Sequence, residues 1–262
     1  MRTSWKNTAN MLQQSRALIL VKALPQPSKK HKETVCCAGV TADGSWKRLY
    51  PIRFRQLDEG STFRRWDWVD FEYALPPQDK RRESCKVFED RIRVAGHMKQ
   101  NERARFLNPL IVPSINEAAA RGMSLALIRP RRTSFHFKRK SAERIARERE
   151  HFAAVERQTS FLDADLKALE PTPYDFRFRF EDSGRRRHFM CGDWEVHTTF
   201  RKRRNEYGSD EAALKWMDEK FNEEYPRKGM AFAVGNVAKR PQTWMLLGVI
   251  RLDEVAQGEL DF

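Results

Sequence analysis

Long apolar runs are missing from this chain. Its apolar stretches, such as Ala17–Val21 and the Gly248-interrupted Trp244–Ile250, fall far short of the roughly 20 residues that a membrane-spanning helix needs. Ala17–Val21 is also shorter than the ~7–15-residue core of a signal peptide, so a cytoplasmic location is expected and no membrane partner. Cysteine is scarce, at four residues, and histidine at six. Cys36, Cys37, Cys85 and Cys191 include no Cys-x-x-Cys, and no two histidines are three to five residues apart. That spacing argues against a structural zinc site, and a reducing compartment argues against a disulfide framework. The thiols are expected to pack as small hydrophobes. Also absent are Gly-x-x-x-x-Gly-Lys-Ser/Thr, Gly-x-Gly-x-x-Gly, Gly-x-Ser-x-Gly and His-Glu-x-x-His. Phosphate-loop NTPase, Rossmann oxidoreductase, α/β-hydrolase and zincin chemistry lose their support. An active site assembled from distant residues needs none of these motifs.

Positive charge is what the chain has in excess. Lys and Arg number 50 against 36 Asp and Glu, a formal net charge of +14. Aromatic residues make up 11 % of the 262, too many for a disordered polycation. A folded protein this basic points to a polyanionic partner. The acids gather elsewhere, around a helix at 209–225, a face suited to a protein partner.

Alternation of apolar and polar residues dominates the pattern. Val69, Phe71, Tyr73 and Leu75 share one face of a strand at Trp68–Leu75. Tyr174, Phe176, Phe178 and Phe180 alternate with charged residues, Asp182-Ser183-Gly184 turns the chain, and Arg186–Cys191 returns, which predicts a hairpin. Further strands are expected at Ala17–Val21, Ser45–Phe54, Val87–Val94, Ser124–Ile128, Met230–Val234 and Thr243–Leu252. Helices are expected at Met98–Leu107, Ser114–Arg121 and Ala142–Gln158. Ser209 caps another, with Leu214, Met217, Phe221 and Tyr225 on one stripe. Without a βαβ rhythm or an internal repeat, the fold class is α+β: a mixed or largely antiparallel, curved sheet with several peripheral helices. One domain over residues 1–262 is expected, with a possible sub-boundary near Pro171–Pro173.

Three constellations could carry chemistry. In the first, strict alternation puts Trp46, Arg48 and Tyr50 on one strand face, with Arg53 and Arg55 on the other. In the second, Arg177 and Arg179 share a face opposite the phenylalanines, Arg185, Arg186 and Arg187 follow the turn, and Arg201, Arg203 and Arg204 form a later cluster. Cations along a phosphate backbone release counterions, and aromatic or guanidinium planes stack bases at ~1–3 kcal/mol each. In the third, Asp193, Glu195 and His197 follow the hairpin. Two carboxylates could hold Mg²⁺ in a nuclease and the histidine could act as a general base. The competing account makes Asp193 a helix N-cap with Glu195 in the first turn. As a cap alone, Asp193→Asn should be nearly silent.

The segments VKALPQPS, ETVCCAGV and GSWKRLYPIRFRQL within Val21–Leu57, with YDFRFRFED, CGDWE and WMLLGVI later, resemble a family of uncharacterised prokaryotic proteins. The resemblance spans most of the chain and implies a module of fixed length, without an activity to transfer.

The residues read together as a nucleic-acid-binding protein, with RNA or single-stranded DNA favoured because aromatic and basic residues interleave on strands and no recognition-helix motif is visible. No cofactor is expected on this reading. The alternatives are a nucleic-acid enzyme, either a Mg²⁺-dependent nuclease or a base-modifying enzyme, and a basic subunit of a larger ribonucleoprotein or defence-type assembly.

Overall fold

The computed structural model describes residues 12–28, 32–58, 60–157 and 170–254. The chain opens with β1 (Gln13–Lys22), β2 (Gln26–Ser28), β3 (Lys32–Val40), β4 (Trp46–Ile52), β5 (Asp67–Ala74), β6 (Ser84–Val87) and β7 (Arg93–His97). Five of these close a ring. β1 pairs with β3 and β3 with β4, both antiparallel; β4 runs parallel to β6; β6 and then β1 pair antiparallel with β5. Numbered along the chain, the ring strands lie in the order 1-2-3-5-4-1, the Greek-key connectivity of an OB-fold barrel. β2 extends the edge of β3, and β7 adds to β5. Ile19, Cys37, Leu49, Ile52, Val69 and Phe71 fill the interior.

The same connectivity then recurs. The second half carries β8 (Ile111–Val112), β9 (Leu125–Ile128), β10 (Arg131–Arg139), β11 (Tyr174–Asp182), β12 (Arg185–Met190), β13 (Met230–Val237) and β14 (Arg240–Arg251). β9 runs through Arg129-Pro130 into β10, so the two serve as one bent strand. β10, β11 and β12 form one antiparallel ribbon, and β9, β13 and β14 another. A parallel bridge between Cys191 and Leu246, with Gly192 N–H on the Leu246 carbonyl at 2.8 Å, joins the two. The order is again 1-2-3-5-4-1, less completely closed. Along the chain lie α1 (Arg103–Leu107), α2 (Ile115–Ala120), α3 (Ala142–Arg157), α4 (Trp194–Tyr207), α5 (Asp210–Glu219) and α6 (Tyr225–Arg227). α4 and α5 sit between the third and fourth strands of the second ring and bring Val196, Phe200, Leu214 and Met217 to Phe176, Phe178 and Phe232. Each such side chain contributes about 1.5–3 kcal/mol on burial. The architecture is α+β, as the composition of elements requires.

Several boundaries differ from the sequence reading. The strand expected at Val87–Val94 is broken: β6 ends at Val87, Glu89–Arg91 form a 3₁₀ turn, and β7 starts at Arg93. Glu89 leaves the ladder to bind the Arg53 backbone N–H and, at 2.7 Å, its side chain. The Met98–Leu107 helix shrinks to α1 behind a 3₁₀ turn at Gln100–Glu102. The Ser209-capped helix holds its stripe but widens into a π turn at Lys220–Glu224 before α6. The hairpin stands as read, and Pro171–Pro173 precede β11 inside the second barrel. Gln158, the last residue of the helix expected from Ala142, lies outside the described residues.

The barrels pack through outward side chains. Leu18, Leu20, Val21, Ala38 and Val40 of the first meet Leu125, Leu127, Ala231, Ala233, Leu247 and Ile250 of the second. With both faces covered, Ala17–Val21 reads as an unbroken apolar run instead of alternating. Gly248 lets the surfaces approach: a Cβ there would stand 3.2 Å from Val21 and 3.2 Å from Ala233. Ion pairs cross the junction, Arg103 with Asp253 at 2.9 Å and, most buried, Arg65 with Asp193. Arg65, ahead of β5, donates to both Asp193 carboxylate oxygens at 2.7 and 2.8 Å and to the Val249 carbonyl at 2.8 Å. Asp193, fully buried, also accepts from Val249 N–H at 2.7 Å and caps α4 through Glu195 N–H at 3.0 Å. Burial pushes its carboxyl up, and Arg65 and the Val249 N–H pull it back only in part. Yet every polar group facing it donates a proton and none can accept one, so the pair is ionic. Burial likewise opposes the Arg65 charge, and Asp193 outweighs it, moving the guanidinium up.

Asp193→Asn is therefore not the silent change that a cap alone implies. Asn restores the cap but leaves Arg65 buried without a counter-charge, a loss expected to reach about 3–5 kcal/mol. Urea denaturation of the variant beside the parent measures it; a difference below about 1 kcal/mol would reduce Asp193 to a cap.

Candidate nucleic-acid interface

Alternation along β4 sends Leu49 into the first barrel and Arg48 and Tyr50 out of it; Ile52, beyond Pro51, also lies in the interior. Arg48 sits opposite Ala38 of β3, and the second barrel covers it to 6 % exposure. Its Nη2 donates to the Ser124 carbonyl at 3.1 Å and hydroxyl at 3.3 Å, while Nη1 lies 4.0 Å from Cys36 Sγ. Its Nε has no hydrogen-bond partner. Among the described residues no carboxylate comes within ion-pair distance of this guanidinium. The Glu83 carbonyl accepts from the Arg48 backbone N–H at 2.6 Å, while its carboxylate accepts from the Ser124 hydroxyl at 2.6 Å and reaches the guanidinium only through it.

The outer face of the β10–β11–β12 ribbon is the second half of the candidate interface. Phe176, Phe178 and Phe180 point inward, which turns Arg177 and Arg179 outward. Arg179 stands between Ser134 and His188, and Arg177 between His136 and Met190. Arg177 is 3.9 Å from Asp175. Arg187 turns to Asp182 at 3.2 Å and Asn116 at 3.1 Å. Arg179, Arg185 and Arg186 have no ion pair among the described residues. Partial burial holds the pKa of His136 and of His188 below the ordinary value, and the neighbouring arginines push the same way. Both rings are thereby biased toward the neutral form, leaving the face to its arginines.

The two faces meet at a cleft of about 830 Å³, within the ~300–1,000 Å³ of small-ligand pockets. Thr34, Cys36, Ala38, Arg48 and Tyr50 form one wall; His188–Met190 of β12 and Trp244–Leu247 of β14 form the other. Among the described residues no Asp or Glu is in the lining. Tyr50, Met190 and Met245 remain 41, 45 and 40 % exposed at the mouth. A second cavity, of about 280 Å³, adjoins at Leu24, Met190 and Cys191 and holds Lys140, Arg144, Glu148, Asp175, His197 and Arg201. Its charges are largely matched: Lys140 to Glu148 at 2.7 Å, and Arg144 to Asp175 at 2.6 Å. His197 lies between the Cys191 carbonyl, 3.3 Å from Nε2, and the Thr172 hydroxyl, 3.1 Å from Nδ1. A carbonyl only accepts, so Nε2 carries the proton and Nδ1 accepts from Thr172.

Other candidate residues lie apart from the cleft. Trp46 packs against the cluster between the barrels. Arg53 pairs with Glu89 at 2.7 Å, and Arg55 follows it in a 3₁₀ turn. Arg203 pairs with Glu206 and stacks on Trp216, 4.2 Å from the ring centre; Arg204 pairs with Asp210 at 3.0 Å. Asp193, Glu195 and His197 do not converge. Asp193 is held by Arg65, Glu195 by Lys22 at 2.6 Å, and His197 by Thr172 and Cys191. Burial would raise the Glu195 carboxyl, but Arg65 and Lys22 outweigh it and hold it low. Among the described residues no group of three His, Cys, Asp or Glu could hold a metal ion. On the acidic helix, Glu224 is taken by Lys220, Lys228 and Arg251. Sequence reasoning missed His136, His188, Met190, Trp244 and Met245. Alternation from Arg186 already places His188 and Met190 on its face, whereas Trp244 lies in an apolar run that reads only as a buried strand.

Residues 13–110 match the family model described as Domain of unknown function (DUF8758), and residues 112–260 that described as Domain of unknown function (DUF8757). The two meet at the junction between the barrels. None of the curated proteins matches the chain.

Burial lowers His197 from 6.5 to about 4. As pH falls, the unfolded chain takes up this proton first. The stabilising contribution is complete above pH 6.5 and is lost on the way to about pH 4, a decline of about 3 kcal/mol. Urea titrations across that window should show this decline in the parent and lack it in His197→Gln; equal declines would clear His197 of the effect.

Proposed function

We propose that this chain, which belongs to the family described as Domain of unknown function (DUF8757), binds single-stranded nucleic acid, RNA or DNA, along the joined faces of its two barrels. The carrying observation is the cleft itself. Two groups of residues far apart in sequence, Arg48 with Tyr50 on the third strand of the first barrel and Arg177 with Arg179 on the second strand of the next, flank one opening. In OB-fold barrels the face of the second and third strands and the adjoining loops bind oligonucleotides or oligosaccharides. This is analogy at the level of fold; the side chains supply the rest. The open arginines of β11 and β12 suit a phosphate backbone. The cleft, walled by Tyr50, Phe189 and Trp244, suits an unstacked base. Arg48, buried without an ion-pair partner, is a charge that a polar or anionic group would satisfy. A paired duplex would keep its bases out of such a cleft, which favours single strands.

Two features favour binding over phosphodiester cleavage: Asp193 and Glu195 are consumed by structural ion pairs, and His197 is locked on both ring nitrogens. The test is fluorescence anisotropy with a labelled single strand of about 12 nucleotides, in the ~4–16-nucleotide range of one OB barrel, between about 50 and 200 mM salt. The parent should bind with a steep salt dependence and prefer the single strand to a duplex. Arg177→Ala with Arg179→Ala should keep the melting temperature and reduce the log–log slope by about 0.7 for each phosphate that the arginines no longer neutralise. An unchanged slope in the folded double variant would remove these arginines from the interface.

A further inference from the structure

We infer that the outer face of the β10–β11–β12 ribbon seats backbone phosphate of the bound strand at Arg177 and Arg179 and takes up protons on His136 and His188 as it does so. The inference rests on the proposed single-strand binding and concerns how this face holds its ligand. Register brings the four side chains together. Arg179 stands between Ser134 of β10 and His188 of β12, and Arg177 between His136 and Met190. Directly paired residues share a face, so the two rows form one patch, about 7 Å apart along the strands and about 10 Å wide across β11. Arg179 and His188 are exposed, and Arg177 and His136 are half-buried. The Ser134 hydroxyl lies 2.8 Å from His136 Nε2. Among the described residues His136 Nδ1 has no hydrogen-bond partner, and neither has the His188 ring.

The carboxylates around the patch are already engaged. Glu181, opposite Arg186, pairs with Arg132 at 2.9 Å. Asp175, opposite Lys138, pairs with Arg144 at 2.6 Å and stays 3.9 Å from Arg177. Asp218 of α5 draws His136 toward its charged form, and accepts from Asn222 at 2.9 Å. Partial burial opposes the charge on both rings, joined by Arg179 and His188 at His136 and by Arg177 and Arg179 at His188. On the cleft side His188 shares the lining with Arg48 and Tyr50. A phosphodiester on the patch reverses this balance. Its charge offsets the repulsion from the arginines, and it accepts the N–H bonds that a protonated ring offers from both nitrogens. His136 can then donate from Nδ1 to the phosphate while Nε2 donates to Ser134. Each ring's pKa is higher in the complex than in the free protein. Affinity therefore rises as pH falls from the bound value toward the free one, and levels off below it.

The experiment uses the full chain and oligodeoxythymidine of about 12 nucleotides, without a terminal phosphate and with a pH-insensitive label. Neither thymine nor a phosphodiester exchanges a proton between about pH 6 and about pH 8, the range in which histidine does, so the pH dependence of binding reports on the protein. At fixed salt the parent should bind at least about 5-fold more tightly at the lower pH than at the higher, and its log–log salt slope should steepen as the rings charge. His136→Gln with His188→Gln should match the parent within about 2-fold at the higher pH and gain little on acidification. Imidazole ¹⁵N shifts of the parent, assigned to His136 and His188, supply a reading that needs no variant to fold: adding the strand near neutral pH should move both rings toward the protonated pattern. If the strand binds equally at both pH values, if parent and double variant gain alike, or if the two rings keep their charge state, the proton-linked seat is overturned and the binding reading stands. If the strand binds at neither pH, both fall.

Discussion

Two barrels of the same connectivity become one structure through the buried contact between Arg65 and Asp193. Around it the apolar cluster from Leu18 to Ile250 removes water, and the absence of water makes the ion pair demanding: among the described residues neither charge has another partner of opposite sign as close. The same carboxylate caps α4 and accepts from β14, so the helix start, the strand end and the barrel junction share one anchor. The placement of β3 and β4 against β12 and β14 follows from it, and the cleft is the space left where the two curved surfaces diverge.

Arg48 shows the opposite arrangement. Arg65 is desolvated and answered by a carboxylate; Arg48 is desolvated and answered by a carbonyl and a hydroxyl. The first contributes to holding the fold together, whereas the second is kept at a cost to stability. Within one interface the chain thus holds desolvated guanidinium groups with different electrostatic completion, and Arg48, the incompletely matched one, lines the opening.

Local features were legible in the residues. The Phe176, Phe178, Phe180 alternation and the Asp-Ser-Gly turn specify the β11–β12 hairpin. Ser209 with its apolar stripe specifies α5. The same period of two puts Arg48 and Tyr50 on one face of their strand and Arg177 and Arg179 opposite the phenylalanines, and they share those faces in the barrels. What the sequence leaves out is pairing across distance. No residue pattern announces the parallel contact of β4 with β6 or the bridge of Cys191 to Leu246, since parallel partners need no turn between them. The repeat of topology is hidden because Ile19, Leu49 and Phe71 do in one barrel what Phe178, Phe232 and Leu246 do in the other: a barrel interior constrains volume and polarity, not identity. Asp193 was readable as a cap from its position before Trp194, but its burial depends on Arg65 arriving from the other half of the chain. The cleft was invisible for the same reason, as Arg48 and Trp244 meet only once both barrels have formed.

Because the walls of the cleft belong to different barrels, whatever fills it touches both. Occupancy and barrel packing are then thermodynamically linked: a ligand that binds only the docked arrangement stabilises that arrangement in proportion to the logarithm of its concentration over its dissociation constant. The opening between the halves is in this sense an unfinished part of the interface, which a bound molecule completes.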